Sequence, residues 1–194
     1  MDIFLIGIIS YMMGSIPFGF ILTKAFLNKD IREIGSGNIG ATNALRTGNK
    51  IIGYSTLILD ILKAVIPVLY VKFFFPNFLY IAALCAFLGH VFPIWLKFKG
   101  GKGVATYIGF LFSINPYIGL LFLILWMAVA LSTKYSSLGS LTAILVAPIY
   151  FIFINFNLYI GIFFIYLSLI IYLKHSENIK RLLNKTESKI KLTK

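Results

Sequence analysis

Acidic residues are scarce in this chain: 6 Asp+Glu stand against 18 Lys+Arg among 194 residues. There is one cysteine, Cys85, and there are two histidines, His90 and His175. A single cysteine excludes an intrachain disulfide. Cys and His are too few for a zinc site, and no acidic cluster offers itself to any other metal. Charge is thin overall, at 12% of residues, where a soluble domain carries about 25%. Hydrophobic residues make up 59%, and the mean hydropathy is +0.92. A globule of this length cannot hide that much apolar surface internally. A soluble enzyme, a disordered chain and a secreted disulfide scaffold are therefore excluded, and lipid is the expected solvent.

Long apolar runs take up most of what is present. They cover 3–23, 51–75, 78–96, 104–114, 117–131, 138–154 and 158–173. About 20 apolar residues cross a bilayer core of roughly 30 Å. Asn115-Pro116 divides the middle pair, which could be one kinked helix or two short ones. The net charge of +12 resolves this choice. In a soluble chain such an excess suggests nucleic acid; in a membrane it sets orientation. Counting the pair as two spans puts segments 24–50, 97–103, 132–137 and 174–194 on one side. These segments hold every Lys and Arg except Lys63 and Lys72. Cytoplasmic loops carry the positive residues.

The expectation is an all-α integral membrane protein with seven transmembrane helices. Its N-terminus lies outside and its C-terminus is cytoplasmic. It forms a single polytopic domain over 1–194 with a basic cytoplasmic tail, 174–194. Asp2 stands where a signal peptide would carry positive charge, so the first run reads as a retained span. The later tail, from Lys180 to Lys194, reads as a basic surface helix on anionic lipid heads.

The first cytoplasmic loop places Gly35, Gly37 and Gly40 in a G-x-G-x-x-G pattern, with Asp60 twenty residues beyond Gly40. A dinucleotide fold needs a preceding strand. Here the pattern lies between membrane helices, and Asp60 falls inside the second, so that reading fails. The underlying physics remains. Glycines let backbone N–H groups turn toward an anion. Ser36, Asn38, Thr42 and Asn43 add neutral donors, and Arg46 adds a planar fork suited to phosphate. The second loop, Lys97 to Gly103, interleaves three lysines with Gly100, Gly101 and Gly103. It precedes a short apolar run whose helical N-terminus would favour an anion. A positive-inside anchor needs lysines but not Gly-Gly-Lys-Gly. In the tail, His175 and Asn178 are three apart and share a helix face. His90 lies near the cytoplasmic end of the third span and reads as structural more readily than functional. Asp60 and Lys63, also three apart, read as a buried structural ion pair.

The polar segments thus place Arg46, Lys102, His175 and several neutral donors on one membrane face. The H-x-x-x-x-D signature of soluble-type glycerolipid acyltransferases is missing, since Trp95 and Lys180 stand five residues after the two histidines. A metal-free phosphate site beside an apolar interior remains. Residues 35–43, 99–106 and His175-x-x-Asn178 resemble the three motifs of the bacterial acyl-phosphate-dependent glycerol-3-phosphate acyltransferases, the PlsY family. The resemblance covers nearly the whole chain, including motif order.

The resemblance implies transfer of a fatty acyl group from acyl phosphate to the 1-hydroxyl of glycerol 3-phosphate. Lysophosphatidic acid and inorganic phosphate would result, in the first acylation of phospholipid synthesis. Neither cofactor nor metal is expected, nucleic acid is not a partner, and the expected unit is a monomer. The location implied is the bacterial plasma (inner) membrane, multi-pass, with the active site facing the cytoplasm and short broken helices around it. By the same resemblance Arg46, Lys102 and His175 compensate phosphate charge, and Ser36 and Asn178 complete the clamp. Gly37, Asn38, Thr42, Asn43, Gly100, Gly101, Gly103 and Thr106 are the further substrate-binding positions. The general base is either His175 or the phosphate of glycerol 3-phosphate itself; the second is preferred, because a histidine clamping phosphate is held cationic. A transporter of an organic phosphate is the alternative. Polar groups clustered on one face, without an outer vestibule, argue against it. A non-enzymatic subunit would leave the glycine loops unexplained.

Overall fold

Asparagine and proline punctuate the helices. In the computed structural model, which describes residues 2–190, every regular element is helical. Helix α1, Ile3–Gly14, begins at Asp2, whose carboxylate accepts the Phe4 N–H at 3.3 Å. Helix α2, Phe18–Leu27, starts directly after Pro17. The first apolar run is therefore two helices rather than one, because proline has no N–H to continue the ladder. A single-turn α3, Ala41–Ala44, lies in the first loop. The Asn49 side chain caps α4, Lys50–Phe74, by accepting from Ile52 N at 3.2 Å. Helices α5, Leu79–Val91, and α6, Val104–Ile114, flank the second loop. Asn115 caps α7, Pro116–Thr133, with Pro116 at its first position. So α6 and α7 are separate helices, and Asn115-Pro116 is the stop-and-start signal between them.

Helices α8, Ser136–Ala143, and α9, Val146–Ile149, lead into a wide π-turn, Tyr150–Ile154. Helix α10, Leu158–Lys174, is capped by Asn157, and α11, Ser176–Leu183, follows it. The tail helix ends at Leu183, short of the expected extent. Lys185 takes a left-handed φ of 57°, and the chain turns back until Ile190 N donates to Lys134 O at 2.7 Å. Residues 191–194, the end of the expected tail helix, lie outside the described residues.

Contacts divide the chain into two units, Met1–Ile114 and Asn115–Lys194. In the first, α1 packs on α5 and α4 on α6. The α1–α5 approach is close enough that a Cβ at Gly14 would fall on the Ala86 backbone. Small residues are what let membrane helices come this near. In the second, α7 packs on α8, and α10 on α9 and the π-turn. Tyr172 OH donates to Leu141 O at 2.8 Å there.

Among the described residues, four segments are long and apolar enough to cross a membrane: Ile3–Leu27, Pro76–Leu96, Pro116–Thr133 and Ser136–Ile154. Helices α10 and α11, bent by 63°, make a fifth if taken together. Helix α4 carries Lys50, Asp60, Lys63 and Lys72, and α6 has only 11 residues. Large apolar side chains face outward, with Phe4 76%, Phe73 75% and Tyr159 89% exposed. Water would penalise such a surface, and hydrocarbon would not.

Candidate active site

The first glycine loop is tied from inside by one amide. Asn43, buried on α3, donates from Nδ2 to the carbonyls of Ile31, Ile34 and Asn38 at 3.0, 2.8 and 2.8 Å. Its Oδ1 accepts the Ser36 N–H at 2.9 Å. Asn43 thus shapes the loop, and its polar atoms do not point to a ligand. The wrap requires Gly35 at φ 55° and Gly37 at φ 69°, the left-handed region where only glycine is unstrained. The aliphatic part of Arg46 lies over Gly35, where a Cβ would stand 2.7 Å from Arg46 Cδ. Ser36 and Thr42 are exposed on the loop. Asn38 is half-buried, and its Oδ1 receives no hydrogen bond among the described residues. Asp30 is engaged by Arg32, whose Nη2 lies 2.5 Å from its Oδ2. That side-chain hydrogen bond, against some desolvation, holds the Asp30 carboxyl down to about 2.

The second loop hangs from the end of α5. Gly100 N donates to Val91 O at 3.2 Å and Gly101 N to His90 O at 3.1 Å. These two amides are engaged by the protein itself, so they are not the N–H groups that would face an anion. The donors left for that task belong to the first turn of α6, which has no intrahelical acceptors. Lys102, half-buried, precedes that turn. Gly103 sits at φ 89°, packed on the Phe87 ring. Thr106 is fully buried, and its hydroxyl donates to Gly103 O at 2.9 Å. It bonds back to the carbonyl that precedes α6 rather than reaching outward.

The structure brings these two loops together. Leu96, just before the second loop, shares a hydrophobic cluster with Ile31, Ile39, Ala44 and Ile52 of the first loop and α4.

The third motif belongs to the second unit. His175 is the buried C-cap of α10, with Nδ1 2.8 Å from Ile171 O. A carbonyl only accepts, so Nδ1 carries the hydrogen and ring chemistry passes to Nε2. The end of a helix also favours a positive charge at this position. Asn178 is buried on α11, and its Nδ2 donates to Glu187 Oε1 at 2.7 Å. Glu187 also accepts from Ser137 Oγ and Arg181 Nε, each at 2.7 Å. Burial pushes the Glu187 carboxyl up. Hydrogen bonds from Arg181, Ser137 and Asn178 outweigh that and hold it below the ordinary carboxylate value.

Sequence reasoning missed Glu187 and treated its surroundings as a basic surface helix on anionic lipid heads. One signal was available: Glu187 is the only acidic residue after Glu177. An acid isolated among lysines stands out, but the sequence names no partner for it.

An all-helical chain with an apolar exterior and glycine loops carrying Arg46 and Lys102 has the makings of a membrane enzyme for phosphorylated substrates. Comparison gives the family. Residues 4–185 match the family model described as glycerol-3-phosphate acyltransferase. A glycerol-3-phosphate acyltransferase from Pelagibacter ubique is 63% identical over 193 residues, covering 99% of this chain and 100% of that one. A Mesorhizobium japonicum glycerol-3-phosphate acyltransferase is 50% identical over 183 residues, covering 94% and 93%. Among solved structures, PlsY, an integral membrane glycerol 3-phosphate acyltransferase in its glycerol 3-phosphate form, superimposes with a TM-score of 0.92. It is 35% identical, with 97% of this chain and 95% of that chain covered. Its lysophosphatidic acid form gives 0.88 at 34% identity, with the same 97% and 95% covered. The chain belongs to the glycerol-3-phosphate acyltransferase family, and the resemblance read from the three motifs holds.

Proposed function

We propose that this acyltransferase moves a fatty acyl group from acyl phosphate to the 1-hydroxyl of glycerol 3-phosphate. The products are lysophosphatidic acid and inorganic phosphate. The observation that carries the reading is the pairing of two glycine loops on one hydrophobic cluster, one bearing Arg46 and the other Lys102 ahead of the α6 N-terminus. Two phosphate-bearing substrates need two such cationic seats. The solved relative's glycerol 3-phosphate and lysophosphatidic acid forms fit a substrate and a product of this reaction.

Arg46 and Lys102 compensate phosphate charge through charge-assisted hydrogen bonds. Ser36, Gly37, Asn38 and Thr42 offer neutral contacts on the first loop, which Asn43 shapes. Lys102 and the first turn of α6, including Gly103, hold the acyl phosphate, and Gly100, Gly101 and Thr106 support that turn from behind. Phosphate binding fixes the acyl carbonyl for attack, and nearby donors stabilise its developing oxyanion. The glycerol oxygen bonds to the acyl carbon, the bond from that carbon to the phosphate oxygen breaks, and inorganic phosphate leaves. The proton of the 1-hydroxyl passes to the phosphate of glycerol 3-phosphate itself. His175 takes part as a cationic clamp acting through Nε2, with Asn178 held in place by Glu187.

The proposed setting is a bacterial inner membrane with the loops on the cytoplasmic side. In the proposed seven-span topology, with the N-terminus outside, α6 must count as a crossing. At 1.5 Å per residue its 11 residues reach only about 17 Å, so its ends lie within the membrane.

The test is reconstitution in phospholipid vesicles with glycerol 3-phosphate outside. Addition of palmitoyl phosphate should yield lysophosphatidic acid. Entry of glycerol 3-phosphate into the lumen without any acyl donor, and no product with one, would make the protein a transporter instead.

A further inference from the structure

Beneath the second glycine loop lies a buried charged cluster that the proposed chemistry does not use. Asp60 and Lys63 sit one turn apart on α4, with Lys63 Nζ 2.7 Å from Asp60 Oδ1 and side chains 3% and 2% exposed. His90 on α5, also 3% exposed, places Nδ1 3.8 Å from the same carboxylate oxygen. The cluster reaches both loops. The far edge of the His90 ring, at Nε2 and Cε1, lies against Gly101, where a Cβ would fall on the imidazole. Lys63 Nζ also donates to Ile16 O at 2.6 Å, in the break between α1 and α2. From that break α2 carries Gly19 against the Ile39 carbonyl of the first loop.

Burying three ionisable groups is costly, and well-packed apolar residues often replace such a cluster without loss of stability. Inside a membrane protein the cost argues for a role. We propose that Asp60, Lys63 and His90 are positioning residues for the phosphate seat of the second loop. Asp60 acts on the His90 ring through its charge across 3.8 Å, without a hydrogen bond between them, the ring sets the height of Gly101, and Gly101 sets where Lys102 and the α6 N-terminus meet the acyl phosphate. Lys63 ties the same carboxylate to the helix break that supports the first loop. The inference rests on the acyl phosphate reading of that loop.

Two variants of the full chain test it: His90→Ala, and the double substitution Asp60→Leu with Lys63→Met, which removes both charges and orphans neither. Kinetics with palmitoyl phosphate and glycerol 3-phosphate, thermal unfolding in detergent, and the affinity for inorganic phosphate are measured for each. At least one variant should fold with a near-native transition and lose tenfold or more in kcat/KM for palmitoyl phosphate. KM for that donor should carry the loss, with kcat little changed, and phosphate affinity should fall by a similar factor. A merely structural role lowers the active fraction, and so kcat, without moving KM or phosphate affinity. A smaller loss, a loss in kcat alone, or failure of both variants to fold overturns the proposal. Phosphate binding keeps the two readings apart. If the wild type does not use palmitoyl phosphate but phosphate affinity still falls tenfold in a folded variant, the acyl-donor reading fails and the positioning stands. If the wild type turns over and the folded variants match it, the positioning fails and the acyl-donor reading stands.

Discussion

The first glycine loop and the third motif each depend on one buried polar anchor, reached in opposite ways. Asn43 lies inside the segment it organises and ties carbonyls no more than twelve residues away. Glu187 lies nine residues beyond Asn178 and comes back to it only because the chain turns after α11. The first anchor is neutral, with two amide hydrogens shared among three carbonyls and an oxygen that accepts one N–H; the second is an anion that only accepts. A loop built from within should tolerate changes elsewhere and fail when its own amide is altered. A motif held by a returning tail should respond to acid, to truncation and to the tail's own sequence.

The sharpest way to break this comparison is Asn43→Asp. An ionised aspartate cannot donate to three carbonyls, and each buried unsatisfied group costs about 1–3 kcal/mol. Thermal unfolding in detergent should drop markedly, and acyl transfer should fall about 100-fold, the scale of a site displaced by about an ångström. Retention of near-native activity would show that the loop does not depend on the amide.

Glu187→Ala should come next. It strands donors on Ser137, Asn178 and Arg181, for a loss of about 3 kcal/mol, the range for breaking a buried charged pair. Turnover should drop along with affinity for glycerol 3-phosphate, as Asn178 loses its support. Unchanged glycerol 3-phosphate binding in this variant would separate Glu187 from the site.

A smaller effect separates the anchors by pH. The Glu187 carboxyl is held below its ordinary value in the folded protein. The stability it contributes is present above the ordinary carboxylate range and is lost as pH falls through the depressed folded value. Acid should therefore loosen α11 and the third motif, as read by hydrogen exchange at 176–183. Glu187→Gln should remove this pH dependence, while the neutral Asn43 contributes none.

Asp30→Asn should matter least. The Asp30–Arg32 pair is partly exposed, and such pairs contribute at most about 0.5–1 kcal/mol. A drop in activity comparable to that of Asn43→Asp would contradict the view that this pair only trims the loop.

The contrast also explains what could be read in advance. Helix positions follow from apolar runs and from the Asn115-Pro116 divide, and 104–114 is read to the residue, while the caps at Asn49 and Asn157 went unread. The Asp60–Lys63 pair follows from its spacing in an apolar segment. The break at Pro17 was open to reading, but the hydropathy of the 3–23 run masked it. Glycine and donor content marked the two loops. Composition could not say which amides face a ligand, and the structure assigns Gly100, Gly101 and Asn43 to internal bonds. The partners of Glu187 were illegible for a further reason. Its partners Ser137 and Asn178 lie fifty and nine residues away, and no local period links them.

The most direct measurement uses the purified protein with palmitoyl phosphate and glycerol 3-phosphate, without added metal. Phosphate release and lysophosphatidic acid are followed together, with palmitoyl-CoA as the competing donor and Lys102→Ala and Arg46→Ala alongside. The proposed chemistry predicts one phosphate for each lysophosphatidic acid, no product from the CoA ester, and loss of both products in the two variants. Product from palmitoyl-CoA at a comparable rate, or full activity in folded Lys102→Ala, would contradict it.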